Sequence, residues 1–266
     1  MIKLIATDLD GTLLDENGKL PKDFKVILEY LITNHNIKFV AASGRPYNSL
    51  KEDFKALTKN IFFIADNGAF IINNNNIINS KFINPNLVKS LISHYRKINN
   101  GNLNIILSCM DCAYIESKDE KFINEMSKYY YKTEFVNDVE SITDNVLKIT
   151  FCDFDNIKET AETHFRPIFE NDLQLSFSGS IWLDVTDKHT TKGSALNKIQ
   201  QMYAIIPGET MAFGDYYNDI TLFKKAYYSY AMDNSSNFIK SKAKFVAPSN
   251  VDNGVITVLK HKFKIP

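Results

Sequence analysis

The apolar and polar positions of this chain follow two rhythms. A short apolar run from Ile2 to Thr7 ends at acids and reads as a buried strand. Pro21 then opens a helix in which Phe24, Ile27, Leu28, Leu31 and Ile32 recur at the helical period and make one apolar face. Ile37 to Ala42 is a second strand. A helix follows Pro46 through Leu50 and Phe54 to Leu57, and Ile61 to Ala65 is a third strand. Strand, helix, strand, helix, strand predicts an α/β fold, Rossmann-like, with a parallel sheet and right-handed crossovers. Ala69 to Ile72 and Ile77 to Ile78 flank the run Asn73-Asn74-Asn75-Asn76, which predicts a hairpin because asparagine tolerates the left-handed turn conformation.

The rhythm changes after about Phe82. Leu87, Leu91, Ile92, Tyr95 and Ile98 mark a helix, and Leu103 to Leu107 and Ala113 to Ile115 are adjacent strands. Val146 to Phe151 is another strand, a helix runs near Lys158 to Phe165, and strands follow at Leu173 to Phe177 and Ile181 to Val185. This block is predicted to be an inserted α+β domain over 83–186. The first rhythm then returns. Ala195, Leu196, Ile199 and Met202 form a helix face, Thr210 to Phe213 is a strand, and Tyr228 to Met232 and Lys244 to Val246 are short strands. One domain, 1–82 with 187–266, is thus expected to be interrupted by another.

Polar clusters sit where the strands of the first rhythm end. Asp8 and Asp10 follow the first strand, Ser43-Gly44-Arg45-Pro46 the second, and Gly214-Asp215 a late one, with Asn218-Asp219 close behind. In an open parallel sheet, ligands bind beyond the carboxyl ends of the strands, so convergence at one edge is expected. Three carboxylates in close quarters repel one another, and a divalent cation resolves the repulsion. Hard oxygen ligands favour magnesium, which often shares its shell with a substrate phosphate. Ser43 and the Gly44 amide supply donors for such a phosphate, and Lys192 a compact positive charge.

Bulk properties narrow the partners. The 266 residues suit two domains, and 44% hydrophobic with 23% charged residues is ordinary for a soluble globular chain. Lysine plus arginine equals aspartate plus glutamate at 31 each, so no global charge draws the chain to nucleic acid or to an anionic membrane. The N-terminus lacks the pattern of a signal peptide, and no run of about eighteen apolar residues reads as a membrane span. Three cysteines cannot form a disulfide framework, which points to the cytoplasm.

Together these segments resemble the haloacid dehalogenase superfamily. Asp8-x-Asp10-Gly11-Thr12 is similar to its first motif, Ser43 to its second, Lys192 to its third, and Gly214-Asp215-x-x-Asn218-Asp219 to its fourth. Ser43-Gly44-Arg45-Pro46, Asn67-Gly68-Ala69 and the long insert resemble the Cof-type branch, whose α/β cap (class IIB) lies at this position and whose members mostly hydrolyse phosphorylated sugars and related metabolites. The resemblance implies a magnesium-dependent phosphatase. Asp8 would attack phosphorus and Asp10 would act as acid and then base. Asp8 and Asp215 would hold the metal by side chains and Asp10 by its backbone carbonyl. The Leu9 amide, Ser43, Gly44, Lys192 and Asn218 would hold phosphoryl oxygens, Arg45 would aid substrate binding, and Asp219 would support Lys192 or the metal waters. Tyr216-Tyr217 departs from the small residue or asparagine common after the fourth-motif aspartate, so substrates do not transfer by analogy.

Each residue also has a plainer reading. Asp8 and Asp10 alone could cap a turn, Ser43 alone could be a loop serine or N-cap, and Arg45 could pair with a core acid. Lys192 alone would be a surface lysine, although at a helix start it opposes the dipole and so asks for a reason such as a bound phosphate. Thr191-Lys192-Gly193-Ser194 has the wrong order for a P-loop. Cys109-Met110-Asp111-Cys112 is a lone pair of cysteines, expected in a turn between strands. The five histidines are scattered, and only His189 lies near Lys192. The Asn234-Ser235-Ser236 sequon carries no weight in a cytoplasmic chain, and the aromatic residues, Trp182 included, are expected to pack cores.

The expected partner is therefore a small phosphorylated metabolite, with no nucleic acid or membrane, acting on a monomer or weak homo-oligomer. The rivals are a phosphotransferase or mutase on the same scaffold and a non-catalytic phospholigand-binding protein.

Overall fold

A computed structural model describes residues 1–99 and 101–265. Its strands in chain order are β1 (Leu4–Thr7), β2 (Lys38–Ala42), β3 (Ile61–Ala65), β4 (Phe70–Asn73), β5 (Asn76–Ser80), β6 (Leu103–Ser108), β7 (Ala113–Ile115), β8 (Thr133–Phe135), β9 (Lys148–Asp153), β10 (Leu173–Phe177), β11 (Trp182–Asp187), β12 (Thr210–Gly214), β13 (Tyr228–Met232) and β14 (Phe245–Ala247). They form two sheets. The larger has the order β14-β13-β12-β1-β2-β3-β4-β5, and the smaller β10-β11-β9-β6-β7-β8.

In the larger sheet β14 through β3 run parallel, and β4 and β5 add an antiparallel hairpin at one edge. Successive side chains take opposite faces. Ile5, Phe39, Phe63, Met211 and Phe213 enter one core with the helices Phe24–His35 and Gly254–Phe263. Leu4, Ala6, Val40, Ile64 and Ala212 enter a second core on the helix Lys192–Met202. Burial on both faces is why these strands read as continuous apolar runs. The hairpin between β4 and β5 turns at Asn74 and Asn75, with φ of 51° and 60°, as the asparagine run predicts.

The smaller sheet is antiparallel except for the β7–β8 pair. One face is apolar: Ile105, Leu107, Ile149, Phe151, Leu183 and Val185 pack on the helix Pro85–Ile98 and on the helical segment 157–169. The other face carries Lys148, Thr150 and Asp184, all buried. It looks onto the carboxyl ends of the larger sheet, because Lys148 Nζ donates to the Gly44 carbonyl.

Several elements depart from the sequence reading. The first helix begins at Phe24, three residues after Pro21, and β1 begins at Leu4. The helix Tyr47–Phe54 gives way to a 3₁₀ turn before Leu57. The strand expected at Val146 to Phe151 runs from Lys148 to Asp153, and the helix Glu120–Met126 and β8 were not predicted. β8 is three residues long and mostly exposed, so it carries too little apolar pattern to register. Cys109 and Cys112 do form the expected turn, with the Cys109 amide donating to the Cys112 carbonyl.

Candidate active site

Asp8 and Asp10 leave the end of β1, Ser43 to Arg45 leave β2, and Asp215 leaves β12. Because β12, β1 and β2 are adjacent and parallel, residues far apart in sequence meet at one edge. The carboxylates of Asp8, Asp215 and Asp219 each offer an oxygen within 4.8 Å of the others. Lys192, first residue of its helix and 1% exposed, points Nζ into them, 2.5 Å from Asp8 Oδ1 and 2.7 Å from Asp219 Oδ1. This accounts for a lysine at the positive end of a helix dipole: its charge is held by two buried acids.

Electrostatics mark the cluster as strained. Burial first, then the charge of Asp219, pushes the Asp8 carboxyl well above its ordinary range, against the pull of Lys192. Burial and Asp219 likewise push Asp215 up to about 7. Burial alone would pull Lys192 down, but Asp219 and Asp8 outweigh it and hold its pKa above the usual range. Three carboxylates against one ammonium leave an excess of negative charge in a water-poor place, and a hard divalent cation fits that donor set.

The three acids are not equivalent. Asp219 Oδ2 accepts the Asp215 and Tyr216 amides at 3.0 Å each, and its Oδ1 accepts Lys192, so it is engaged in holding the loop. Asp215 accepts only the Thr12 hydroxyl, at 3.0 Å, and Asp8 only Lys192, among the described residues. Asp8 and Asp215 are therefore the side chains with oxygens left for an ion. Gly11, at φ +74°, lets the first loop pass close by, since a Cβ there would stand 2.5 Å from Asp215 Oδ2.

Asp8, Asp10, Ser43, Gly44, Arg45, Asp215 and Asn218 line a cavity of about 340 Å³; Asp219 and Lys192 are outside that lining, and Lys192 lines a second cavity with Asn67 and Asn218. The Leu9 side chain lies in the core, which leaves only its backbone for the site. Arg45, expected beside phosphate, directs its guanidinium at acids. Nε donates to Asp10 Oδ2 at 2.8 Å, NH2 bonds Asp10 Oδ1, and NH1 donates to Asp53 Oδ2 at 2.9 Å. Asn218 Nδ2 donates to Asn67 Oδ1 at 3.0 Å, and Asn67 Nδ2 to Asp184 Oδ2 at 2.5 Å, linking the last loop to the smaller sheet. Tyr216 lines the cavity, whereas Tyr217 packs against Phe177 and Phe238 and stays outside that lining. His189 is exposed and away from it.

The opposite wall is what the sequence reading missed. Tyr129, Lys148, Thr150, Trp182 and Asp184 line it from the smaller sheet and its connections, while Trp182, 7% exposed, also packs a core with Phe122, Met126 and Tyr130 as expected of the aromatic residues. A signal was present. In Lys148-Ile149-Thr150-Phe151 and Trp182-Leu183-Asp184-Val185 the polar residues alternate with apolar ones, and here the polar face is buried, which implies something to meet there.

A parallel sheet with three acids and a buried lysine gathered at its carboxyl edge is the architecture of an α/β enzyme whose site lies beyond the strand ends. Residues 5–259 match the model of the haloacid dehalogenase-like hydrolases, so the chain belongs to that family. It is 26% identical to 5-amino-6-(5-phospho-D-ribitylamino)uracil phosphatase YbjI of Escherichia coli, over 97% of this chain and 95% of that one. It is 27% identical to the Bacillus subtilis phosphatase YcsE of the same description, over 98% and 95%. A solved Streptococcus mutans structure superposes with a TM-score of 0.91 at 30% identity, covering 99% of this chain and 100% of that one. The protein is thus a phosphatase of the haloacid dehalogenase-like family, in the Cof-type branch that its sequence resembles. No helix among the described residues is long and apolar enough to cross a membrane.

Proposed function

We propose that this chain is a magnesium-dependent phosphatase that hydrolyses small phosphate monoesters, sugar phosphates or related metabolites, through an aspartyl-phosphate on Asp8. The observation that carries this reading is the meeting of Asp8, Asp215 and Asp219 within 4.8 Å around Lys192, with Asp8 and Asp215 lining a cavity large enough for a small ester.

Asp8 Oδ1 attacks phosphorus and the ester oxygen departs. Asp10 gives that oxygen its proton and then takes one from the water that cleaves the acyl-phosphate, returning Asp8 to a carboxylate. Both Asp10 oxygens accept from Arg45, so one of these bonds would open before Asp10 carries a proton to the leaving oxygen. Lys192, Ser43, the amides of Leu9 and Gly44, and Asn218 take the phosphoryl oxygens. Asp8, Asp215 and the Asp10 carbonyl would hold Mg²⁺, which would supply charge neutralisation for the transferring phosphoryl group. Asp219 keeps Lys192 and the Asp215 loop in place.

In this reading residues 1–82 and 187–266 form the catalytic core, and 83–186 form a cap that closes over substrate and excludes bulk water. A cytoplasmic location belongs to the same reading, supported by three cysteines that form no disulfide among the described residues. The test is phosphate release from a panel of monoesters with Mg²⁺ and with chelator, the phosphoribitylaminouracil of the named relatives among them. Metal-dependent release that vanishes in Asp8→Asn is the expected result. Transfer to an added sugar with no free phosphate would favour a phosphotransferase, and undiminished turnover by Asp8→Asn would end the reading.

A further inference from the structure

The wall facing the acids has a chemistry of its own. One cation, Lys148, stands among the described residues of that wall, and it is already engaged. Its Nζ bonds the Gly44 carbonyl and lies 3.5 Å from Asp184 Oδ1 and 3.6 Å from Asp66 Oδ1. The same wall carries the carboxylates of Glu125 and Asp184. Among the described residues Glu125 pairs only with Lys128, at 2.5 Å, and that lysine is 60% exposed, so water screens the pair. A second anionic group on a substrate would therefore meet net negative charge with no free cation.

The rest of the wall is aromatic and hydroxylic. Tyr129 and Trp182 meet edge to face at 6.1 Å, with Arg45 set 5.3 Å over the Tyr129 ring. The turn Ser178-Gly179-Ser180 folds onto the indole. A Cβ on Gly179 would lie 2.9 Å from Trp182 Cδ1, so glycine is what permits the approach. Ser178, half-buried, and Ser180, exposed, line the cavity, and their hydroxyls have no protein partner among the described residues. Rings beside unpaired hydroxyls suit a planar group on a hydroxylated chain.

We propose that this wall selects the alcohol half of the substrate: a hydroxylated chain bearing an uncharged planar ring, with Tyr129 and Trp182 as specificity-determining residues, and esters with a second phosphate rejected. The proposal rests on the phosphatase reading for the position of the reacting phosphate. It goes beyond that reading by naming the residues that choose among monoesters.

Trp182 is the single tryptophan of the chain, so its fluorescence reports binding without turnover. The full-length Asp8→Asn variant is titrated with flavin mononucleotide in Mg²⁺, against a free-riboflavin control. Glycerol 3-phosphate, fructose 6-phosphate and fructose 1,6-bisphosphate are then measured by displacement. Flavin mononucleotide should bind at least about tenfold tighter than glycerol 3-phosphate, and Tyr129→Leu should weaken the flavin about tenfold while moving glycerol 3-phosphate by less than about twofold. Trp182→Phe, followed by flavin fluorescence, should keep most of the selectivity because a ring remains. The bisphosphate should bind no tighter than the monophosphate, and Glu125→Lys should raise its affinity selectively. Equal weakening of all esters by Tyr129→Leu, or a wild-type preference for the bisphosphate, overturns the proposal. Ring-selective binding in a chain that releases no phosphate would instead sink the catalytic reading and support the wall.

Discussion

Lys192 Nζ lies 2.5 Å from Asp8 Oδ1, although 184 residues separate the two. The ammonium is buried and shared with Asp219, so it holds together β1, the helix Lys192–Met202 and the loop after β12. Lys192→Met should therefore act on both stability and chemistry. Two buried carboxylates lose their cation, a change of roughly 3–5 kcal/mol. kcat should fall by about 10²-fold or more, as when a preorganised charge is removed from a transition state. Thermal melts and steady-state kinetics check the two effects, and Mg²⁺ should recover part of the stability but not the rate.

If a metal occupies the crowded acids, as proposed, it should stabilise the fold. Burial and Asp219 raise the pKa of Asp8, so its charged form is disfavoured in the folded chain without a cation. Asp8→Asn should melt higher than wild type in chelator, by about 1–3 kcal/mol. With saturating Mg²⁺ the order should narrow or reverse, since binding to the folded state adds stability by mass action and Asp8 is one of the proposed ligands. Differential scanning fluorimetry with and without Mg²⁺ reads both.

Gly11 tests the geometry of the first loop. At φ +74° an alanine costs about 1 kcal/mol in backbone strain, and its Cβ would fall 2.5 Å from Asp215 Oδ2. Gly11→Ala should displace Asp215, break the Thr12 hydrogen bond and raise the Mg²⁺ concentration needed for half-maximal activity. Metal titration of phosphate release measures this. An unchanged metal requirement would mean that Asp215 does not hold the ion.

Asp66 offers a pH test outside the metal cluster. Burial pushes its carboxyl up to about 6, against the opposing charge of Lys148. The folded chain then binds more protons than the unfolded one between about pH 4 and 6, so this residue makes stability fall as pH rises through that window. The penalty is complete above the folded pKa and is relieved toward acid. Asp66→Asn should remove this decline, gaining at most about 3 kcal/mol on wild type at pH 7 relative to pH 4. Asparagine tolerates the φ of +47° at this position. Denaturant melts at both pH values decide it.

The apolar runs at β1, β2, β3 and β12 determined the parallel sheet, because strands buried on both faces must be continuous in hydrophobicity. Once the sheet is parallel, the acids that follow β1 and β12 share an edge, so Asp8, Asp10, Ser43 and Asp215 were legible as one site from local pattern alone. The asparagine hairpin and the cysteine turn were legible for the same reason, since each depends on a few neighbouring residues. What only the tertiary structure decided is the set of partners across elements. Arg45 had two open readings, and the packing of the helix Tyr47–Phe54 sets it between Asp10 and Asp53. Tyr216 and Tyr217 are adjacent in sequence, yet one lines the cavity and the other packs on Phe177 and Phe238. The wall of Tyr129, Lys148, Trp182 and Asp184 depends on how the smaller sheet sits over the larger. Sequence periodicity tells which face of a strand is polar, but not what that face meets.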